Sequence, residues 1–168
     1  SGAMNDMFSA ILSKTNIHVD VVKGYLLPKT VNSETLVVTT SVSGNTEETL
    51  SILNSALKLK CKTIAFSDDG KMGKICLEKN ISHRKISTRH SPRASFPAFL
   101  FSMINVLEPL LPIEKNDIVD SIQKLQKQKE EISSNNLTNE NPAISLAKWI
   151  TDIPLIYYPW GLQASAVR

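Results

Sequence analysis

The 168-residue sequence contains little cysteine and no long apolar run. Its two cysteines, Cys61 and Cys76, cannot form the dense disulfide framework of small secreted domains. Both have apolar neighbours along the chain, so we expect reduced core residues in a cytoplasmic protein. The apolar stretch at 106–113 is interrupted by Glu108 and two prolines, and it is far shorter than the roughly 18 residues of a membrane span. The sequence therefore predicts neither a secretory signal nor a transmembrane helix.

An excess of charge of one sign is also missing. Nineteen Lys and Arg residues against 16 Asp and Glu residues give a net charge of +3, which does not indicate the clustered basic face of a nucleic-acid-binding protein. A hydrophobic content of 42% and a charged content of 21% are typical of a globular domain and argue against a disordered chain. The histidines His18, His83 and His90 have no spacing to Cys or acidic residues that is typical of a metal site, so we predict no bound metal.

Strand-like and helix-like segments alternate along the chain. Short β-prone runs at 36–40 and 63–66 are typical of buried parallel strands, and amphipathic segments at 46–60 and 71–79 follow them. This alternation predicts an α/β fold of flavodoxin-like type, with three αβα layers and a parallel sheet. Further strands are predicted at 17–22, 81–86 and 153–158, and further helices at 4–14, 94–110, 114–132 and 143–150.

The segment SVSGNTEET, residues 41–49, is the most informative in the chain. It follows a predicted strand and precedes a predicted helix, which is where open α/β sheets bind ligands. The N–H groups at the start of a helix suit a phosphate, and Ser41, Ser43 and Thr46 add hydroxyl groups to them. Gly44 allows the backbone to approach a ligand closely. These residues fit the phosphate group of a sugar phosphate.

The same segment also fits a simpler role. Asn45 or Thr46 can cap the helix while the serines form a polar turn. Glu47 and Glu48 would complement the helix dipole without any ligand. The residues alone leave these two interpretations open.

Arg93 is the second candidate, because it follows a proline at the start of the apolar segment 94–110. A guanidinium group in that position can meet an oxyanion. The alternative is a solvated arginine in a basic cluster with Arg84, Arg89 and His90. Charge clusters are mostly solvated, so the residues alone favour the alternative.

Two motifs resemble those of the SIS (sugar isomerase) domain family. The run SVSGNTEET is similar to the phosphate-binding motif of that family. Residues 91–97, SPRASFP, resemble the "PRA" segment of the bifunctional phosphoglucose/phosphomannose isomerases within it. Residues 24–28 and 70–72 fit as well, and the resemblance covers nearly the whole chain.

The resemblance implies the SIS fold and an aldose–ketose isomerase that converts glucose 6-phosphate or mannose 6-phosphate to fructose 6-phosphate through an enediolate. It assigns phosphate binding to Ser1, Ser41, Ser43 and Thr46, and stabilisation of the enediolate to Arg93. Ser1 is included because residues 1–6 resemble the end of the family's Gly-rich turn, although Gly-Ala-Met is also typical of a tag remnant. No cofactor is expected, because the carbonyl group acidifies the adjacent proton. We expect a sugar phosphate as the partner and a homodimer as the assembly, with no nucleic acid or membrane.

The resemblance also implies that the chain is part of a longer protein. Residues 1–132 correspond to an SIS domain without its first strand, 133–142 to a linker, and 143–168 to the beginning of a second SIS domain. The family's glutamate base and ring-opening histidine are expected beyond residue 168, so we expect the chain alone to be inactive. We also expect residues 153–158 to fill the slot in the sheet left by the missing strand, because unpaired backbone donors are costly.

The sequence leaves two other functions open. A non-catalytic module that senses sugar phosphates would keep the SGNT loop and would need no base; isomerase activity in the complete protein would exclude it. A nucleotide-binding flavodoxin-like domain is disfavoured, because no Gly-rich dinucleotide fingerprint follows a predicted strand.

Overall fold

The computed structural model describes residues 2–88 and 91–150. These residues divide into two units, one that ends at Leu111 and another that begins at Pro112. The first unit contains helix α1 (Gly2–Leu12), strand β1 (Leu36–Ser41), helix α2 (Glu47–Lys58), strand β2 (Lys62–Ser67), helix α3 (Gly70–Glu78), strand β3 (Ser82–Lys85), helix α4 (Phe96–Leu107) and a short 3-10 helix (Glu108–Leu110). The second unit contains helix α5 (Lys115–Glu131) and helix α6 (Pro142–Trp149).

The three strands form one parallel sheet in the order β1-β2-β3. The register pairs Ser41 with Ser67, and Ser67 with Lys85. The carboxyl ends of all three strands therefore lie side by side, where each strand passes into the loop that leads to the following helix. This arrangement confirms the predicted α/β fold class with a parallel sheet.

Helices α2 and α3 pack on one face of the sheet. Leu53 of α2 and two side chains of α3, Met72 and Cys76, surround Ala65 of β2, and all four are almost completely buried. Val37 of β1 belongs to a neighbouring buried cluster under α2. The apolar face of each helix thus holds it against the strands and fixes where the helix begins.

The opposite face of the sheet is in contact with α1. Thr40 of β1 places its Oγ1 atom 3.5 Å from Oδ1 of Asn5 in that helix. Met4 and Phe8 of α1 are buried, as is Phe66 of β2. Helices therefore flank the sheet, which is consistent with three αβα layers.

The strand predicted at 17–22 is wrong. These residues follow α1 as an irregular segment without ladder pairing to any described strand. Val22, one of the apolar residues that predicted the strand, packs against the cluster around Val37 without belonging to a strand. The proposed occupant of the slot, residues 153–158, lies outside the described residues, so that expectation stays a prediction.

The second unit begins with a well-formed helix terminus. The backbone N–H of Glu114 donates to Oδ2 of Asp117 at 3.0 Å, which fixes the start of α5. Asn141 caps α6 by accepting from the N–H of Ala143 at 2.9 Å. The assignment of residues 143–168 to a second SIS domain stays a prediction. Within the described ranges, no helix combines the length and the apolar character needed to cross a bilayer.

Candidate functional site

The loop that follows β1, residues 41–46, brings two predicted site residues together. Ser41 is the buried last residue of the strand, and its Oγ lies 2.8 Å from Oγ1 of Thr46. Between them the chain reverses through Gly44, whose N–H donates to the carbonyl of Ser41 at 3.1 Å. Gly44 has a φ of +67°, a conformation that favours glycine. We call this segment the 41–46 loop.

Ser43 is exposed in the 41–46 loop, as are Asn45 and Thr46. Its Oγ accepts a hydrogen bond from the backbone N–H of Asn45 at 3.2 Å. No described residue accepts a hydrogen bond from the Ser43 hydroxyl itself. The O–H group of Ser43 is therefore available to a ligand.

Thr46 occupies the N-cap position of α2 without acting as a side-chain cap. Its backbone is extended, with φ −65° and ψ 119°, but its side chain makes no hydrogen bond to the helix start. The first hydrogen bond of the helix runs from the N–H of Leu50 to the carbonyl of Thr46 at 3.0 Å. The N–H groups of the first turn consequently have no partner within the helix. The simpler interpretation of Thr46 as a side-chain cap does not describe this structure.

The turn between β2 and α3, residues 67–70, lies directly against the 41–46 loop. The N–H of Met72 donates to the carbonyl of Gly44 at 2.9 Å, and the N–H of Asp68 donates to the carbonyl of Val42 at 3.0 Å. These bonds join residues that are 28 and 26 positions apart in sequence, because β1 and β2 are neighbours in the sheet. We call this second segment the 67–70 turn.

Asp69 in the 67–70 turn has a strained backbone. Its φ of +109° lies in a region that L-residues rarely adopt. The surroundings hold it there: Ser67 Oγ donates to the Asp69 carbonyl at 3.0 Å, and Lys85 Nζ lies 2.8 Å from Oδ2 of Asp69. The hydrogen bond from Lys85 lowers the pKa of the Asp69 carboxyl.

A contact between Ser67 and His83 connects the 67–70 turn to β3. Oγ of the fully buried Ser67 lies 2.8 Å from Nε2 of the half-buried His83 on β3. Burial lowers the pKa of His83, which favours the neutral ring at neutral pH. Neither residue was predicted as part of the site. Their types give no signal on their own, and the contact arises because β2 and β3 are paired.

Asp68 connects the 67–70 turn to the segment that leads toward Arg93. Its Oδ2 accepts from the N–H of Thr88 at 3.1 Å and also from the Thr88 hydroxyl. These two hydrogen bonds lower the pKa of the Asp68 carboxyl. The sequence predicted only a turn at this position.

Replacing Asp68 by asparagine tests that connection. The pKa of Asp68 is lower in the folded protein than the value of about 3.9 in an unfolded chain. Its stabilising effect is therefore fully present above that unfolded value and is lost as the pH falls through the folded pKa. We expect Asp68→Asn to unfold at a lower temperature than wild type at pH 7, and the difference to shrink in acid.

Thermal unfolding followed from pH 2 to pH 7 measures this effect. Asp120→Asn is the matched control, because Asp120 is exposed on α5 and makes no hydrogen bond to a described side chain. A difference between Asp68→Asn and wild type that does not change with pH would contradict the prediction.

Arg93 lies in the turn just before α4 and is exposed. Its carbonyl accepts from the N–H of Phe96 at 3.3 Å. Its guanidinium group makes no hydrogen bond or ion pair with the described residues, so the structure does not join it to the 41–46 loop. Ser1, the remaining predicted site residue, lies outside the described residues.

Two acidic residues directly follow the 41–46 loop. Glu47 and Glu48 occupy the first turn of α2. The charge of Glu48 is the main cause of a raised pKa of Tyr25, whose carbonyl accepts from Ser51 Oγ at 2.9 Å.

In the described part of the chain, no group of three or more His, Cys, Asp or Glu residues is placed to bind a metal ion.

An open cleft of about 520 Å³ lies beside the 41–46 loop, on its α3 side. Its lining residues are Asn45, Asp69, Gly70, Lys71, Gly73, Lys74 and Leu77. The two lysines give one wall a positive charge. Ser41, Ser43 and Thr46 are not among these lining residues, so the cleft and the predicted phosphate contacts are adjacent and distinct.

No family model matches the chain. The chain is similar to a bifunctional phosphoglucose/phosphomannose isomerase of Caldicellulosiruptor bescii, at 30% identity over 155 residues that cover 88% of this chain and 44% of the relative. Relatives of the same name occur in Aquifex aeolicus, at 31% identity over 67% of this chain and 34% of the relative, and in Thermoplasma acidophilum, at 28% identity over 100% and 50%. The chain thus spans half or less of the length of these curated relatives.

Proposed function

We propose that this chain is the phosphate-binding part of a sugar-phosphate isomerase that interconverts glucose 6-phosphate or mannose 6-phosphate with fructose 6-phosphate. The observation that carries the proposal is the geometry of the 41–46 loop. Hydroxyl groups and the unpaired N–H groups of α2 converge at the carboxyl end of a parallel strand. The names of the similar proteins, bifunctional phosphoglucose/phosphomannose isomerases, support a phosphorylated hexose as the ligand of such a loop.

The 41–46 loop binds phosphate mainly through neutral donors. The hydroxyl of Ser43 and the first N–H groups of α2 donate to the phosphate oxygens. In the Ser41–Thr46 pair one hydroxyl donates to the other, which leaves one O–H for the ligand. The partial positive charge at the helix start adds to these bonds and offsets part of the nearby negative charge of Glu47 and Glu48.

The phosphate does not react and serves to orient the sugar. Isomerisation moves a proton between C1 and C2, and the electron pair left behind is delocalised onto the carbonyl oxygen as an enediolate. Arg93 stabilises that negative oxygen with its permanently charged guanidinium group. Binding energy from the distant phosphate holds the reacting carbons in place. In this proposal the base that takes the proton is not one of the residues of this chain to which a role is assigned.

Replacing Ser43 by alanine tests the phosphate contact. A hydrogen bond to a charged group contributes about 1.5–3 kcal/mol, so we expect the Kd for fructose 6-phosphate to rise by a factor on the order of ten to a hundred. Isothermal titration calorimetry of the 168-residue chain measures it. Ser33→Ala, which changes an exposed serine in another loop, is the matched control and is expected to bind as wild type does.

Unphosphorylated fructose separates phosphate recognition from general sugar binding. We expect it to bind much more weakly than fructose 6-phosphate to the wild-type chain. Equal affinity for the two sugars, or an unchanged Kd in Ser43→Ala, would contradict the assignment.

The catalytic half of the proposal is tested by an isomerase assay of the full-length protein. Binding of sugar phosphates without isomerase activity would favour a sensing module.

A further inference from the structure

The side chain of Asn45 joins the 41–46 loop to Lys71 of α3, the residue that directly follows the 67–70 turn. Its Nδ2 donates to the carbonyl of Ser43 at 3.0 Å, and its Oδ1 accepts from the backbone N–H of Lys71 at 3.0 Å. One partner is an acceptor and the other is a donor. An amide satisfies both, whereas a carboxylate of the same shape has no hydrogen to donate to Ser43.

The two segments approach so closely that neither backbone can move toward the other. A Cβ atom added to Gly44 would lie 1.9 Å from the carbonyl oxygen of Asp69. A Cβ atom added to Gly70 would lie 2.4 Å from the carbonyl oxygen of Ser43 and 3.0 Å from the amide of Asn45. The Asn45 side chain therefore bridges the two segments where their backbones are already in contact.

The 67–70 turn is the fixed partner in this contact. Ser67, which is completely buried, bonds to both the N–H and the carbonyl of Asp69, and Lys85 on β3 holds the Asp69 carboxylate. The turn is thus tied to two strands, whereas Ser43 is exposed in a loop. Because Lys71 directly follows this turn, its hydrogen bond to Asn45 connects Ser43 in the exposed loop to residues that are fixed by the sheet.

The backbone of Asn45 completes the arrangement. Its N–H donates to Oγ of Ser43 at 3.2 Å, while its side chain fixes the Ser43 carbonyl. Asn45 therefore holds Ser43 at both its carbonyl and its hydroxyl oxygen. The hydroxyl hydrogen remains for another acceptor.

From these contacts we infer that Asn45 is a positioning residue that holds the Ser43 hydroxyl in place for the phosphate group of the ligand. This inference rests on the proposed function and names a residue that acts through another. Asn45 need not touch the ligand for this role: one amide N–H is donated to Ser43, and the amide oxygen accepts from Lys71. Without the amide, Ser43 must be ordered when the ligand binds, which weakens binding.

A double-mutant cycle of Asn45→Ala and Ser43→Ala tests the inference, with fructose 6-phosphate as the ligand and the 168-residue chain as the protein. We expect Asn45→Ala to raise the Kd by about five- to tenfold, as the loss of one or two hydrogen bonds implies. If Asn45 acts through Ser43, the double variant binds no more than about twofold more weakly than Ser43→Ala alone. A purely structural role of Asn45 would instead give additive losses.

Asn54→Ala is the matched control, because Asn54 is exposed in the middle of α2 and away from the loop. The unfolding temperature of every variant shows that binding is measured on folded protein. Wild-type affinity in Asn45→Ala, or additive losses in the double variant, would overturn the inference while leaving the proposed function intact. Absence of binding to the wild-type chain would overturn the proposed function, and the inference with it.

Discussion

Replacing Gly44 by alanine is expected to lower the free energy of unfolding by about 3 kcal/mol or more. The added Cβ atom would lie 1.9 Å from the Asp69 carbonyl oxygen, a distance that only a backbone shift can relieve. The φ of +67° adds conformational strain of about 1–3 kcal/mol for a non-glycine residue. The backbone shift is also expected to lengthen or break the hydrogen bond from the N–H of Met72 to the Gly44 carbonyl. The effect is measured by urea unfolding.

Gly24→Ala is the control that separates the effect of backbone strain at a positive φ from the effect of the steric clash with Asp69. Gly24 also has a positive φ, of +152°, but a Cβ atom added to it meets nothing within 4 Å. We expect this variant to lose clearly less stability than Gly44→Ala. Losses that agree within about 1 kcal/mol would show that the close approach of the 41–46 loop to the 67–70 turn contributes little.

If the proposed isomerase function is correct, replacing Arg93 by alanine is expected to lower kcat of the full-length protein by a factor on the order of a hundred to a thousand. Removal of one preorganised group that stabilises a developing oxyanion has an effect of this size. Because Arg93 makes no hydrogen bond or ion pair with the described residues, its loss leaves no described partner unsatisfied. The thermal unfolding temperature is therefore expected to change little. Steady-state kinetics with fructose 6-phosphate measures the effect.

Arg84→Ala is the matched control for Arg93→Ala. Arg84 is an exposed arginine on β3 and belongs to the same basic part of the sequence. We expect its loss to leave kcat nearly unchanged, because no role in the reaction is assigned to it. Equal decreases in kcat for the two variants would favour the general effect of a basic cluster and contradict a specific role of Arg93.

The helices and strands around the site could be predicted from local sequence patterns. The helix expected at 46–60 spans Glu47–Lys58, and the strand expected at 63–66 spans Lys62–Ser67. These elements have clear hydrophobic periodicity and buried β-prone residues, which are local signals. The strand at 17–22 was wrong because the same alternation also arises where single side chains pack against a core without a neighbouring strand.

The contacts within the site could be predicted only in part. The 41–46 loop was identified because its position after a strand and before a helix is visible in sequence. The bond from Asn45 to Lys71 was missed, because it joins residues 26 positions apart and depends on the pairing of β1 with β2. The backbone strain at Asp69 was missed for a related reason, since it is imposed by Ser67 and Lys85 and not by its own residue type.

The most direct test of the proposed phosphate site is an NMR titration of the 168-residue chain with 5-phosphoarabinonate, a mimic of the enediolate. The backbone amide signals of Ser43, Asn45, Glu47 and Glu48 are expected to shift in a saturable way, because these groups surround the proposed phosphate. Unphosphorylated arabinonate at the same concentrations should leave them unchanged. Equal shifts with both compounds, or shifts confined to the amides of other segments, would contradict the assignment of the 41–46 loop as a phosphate site.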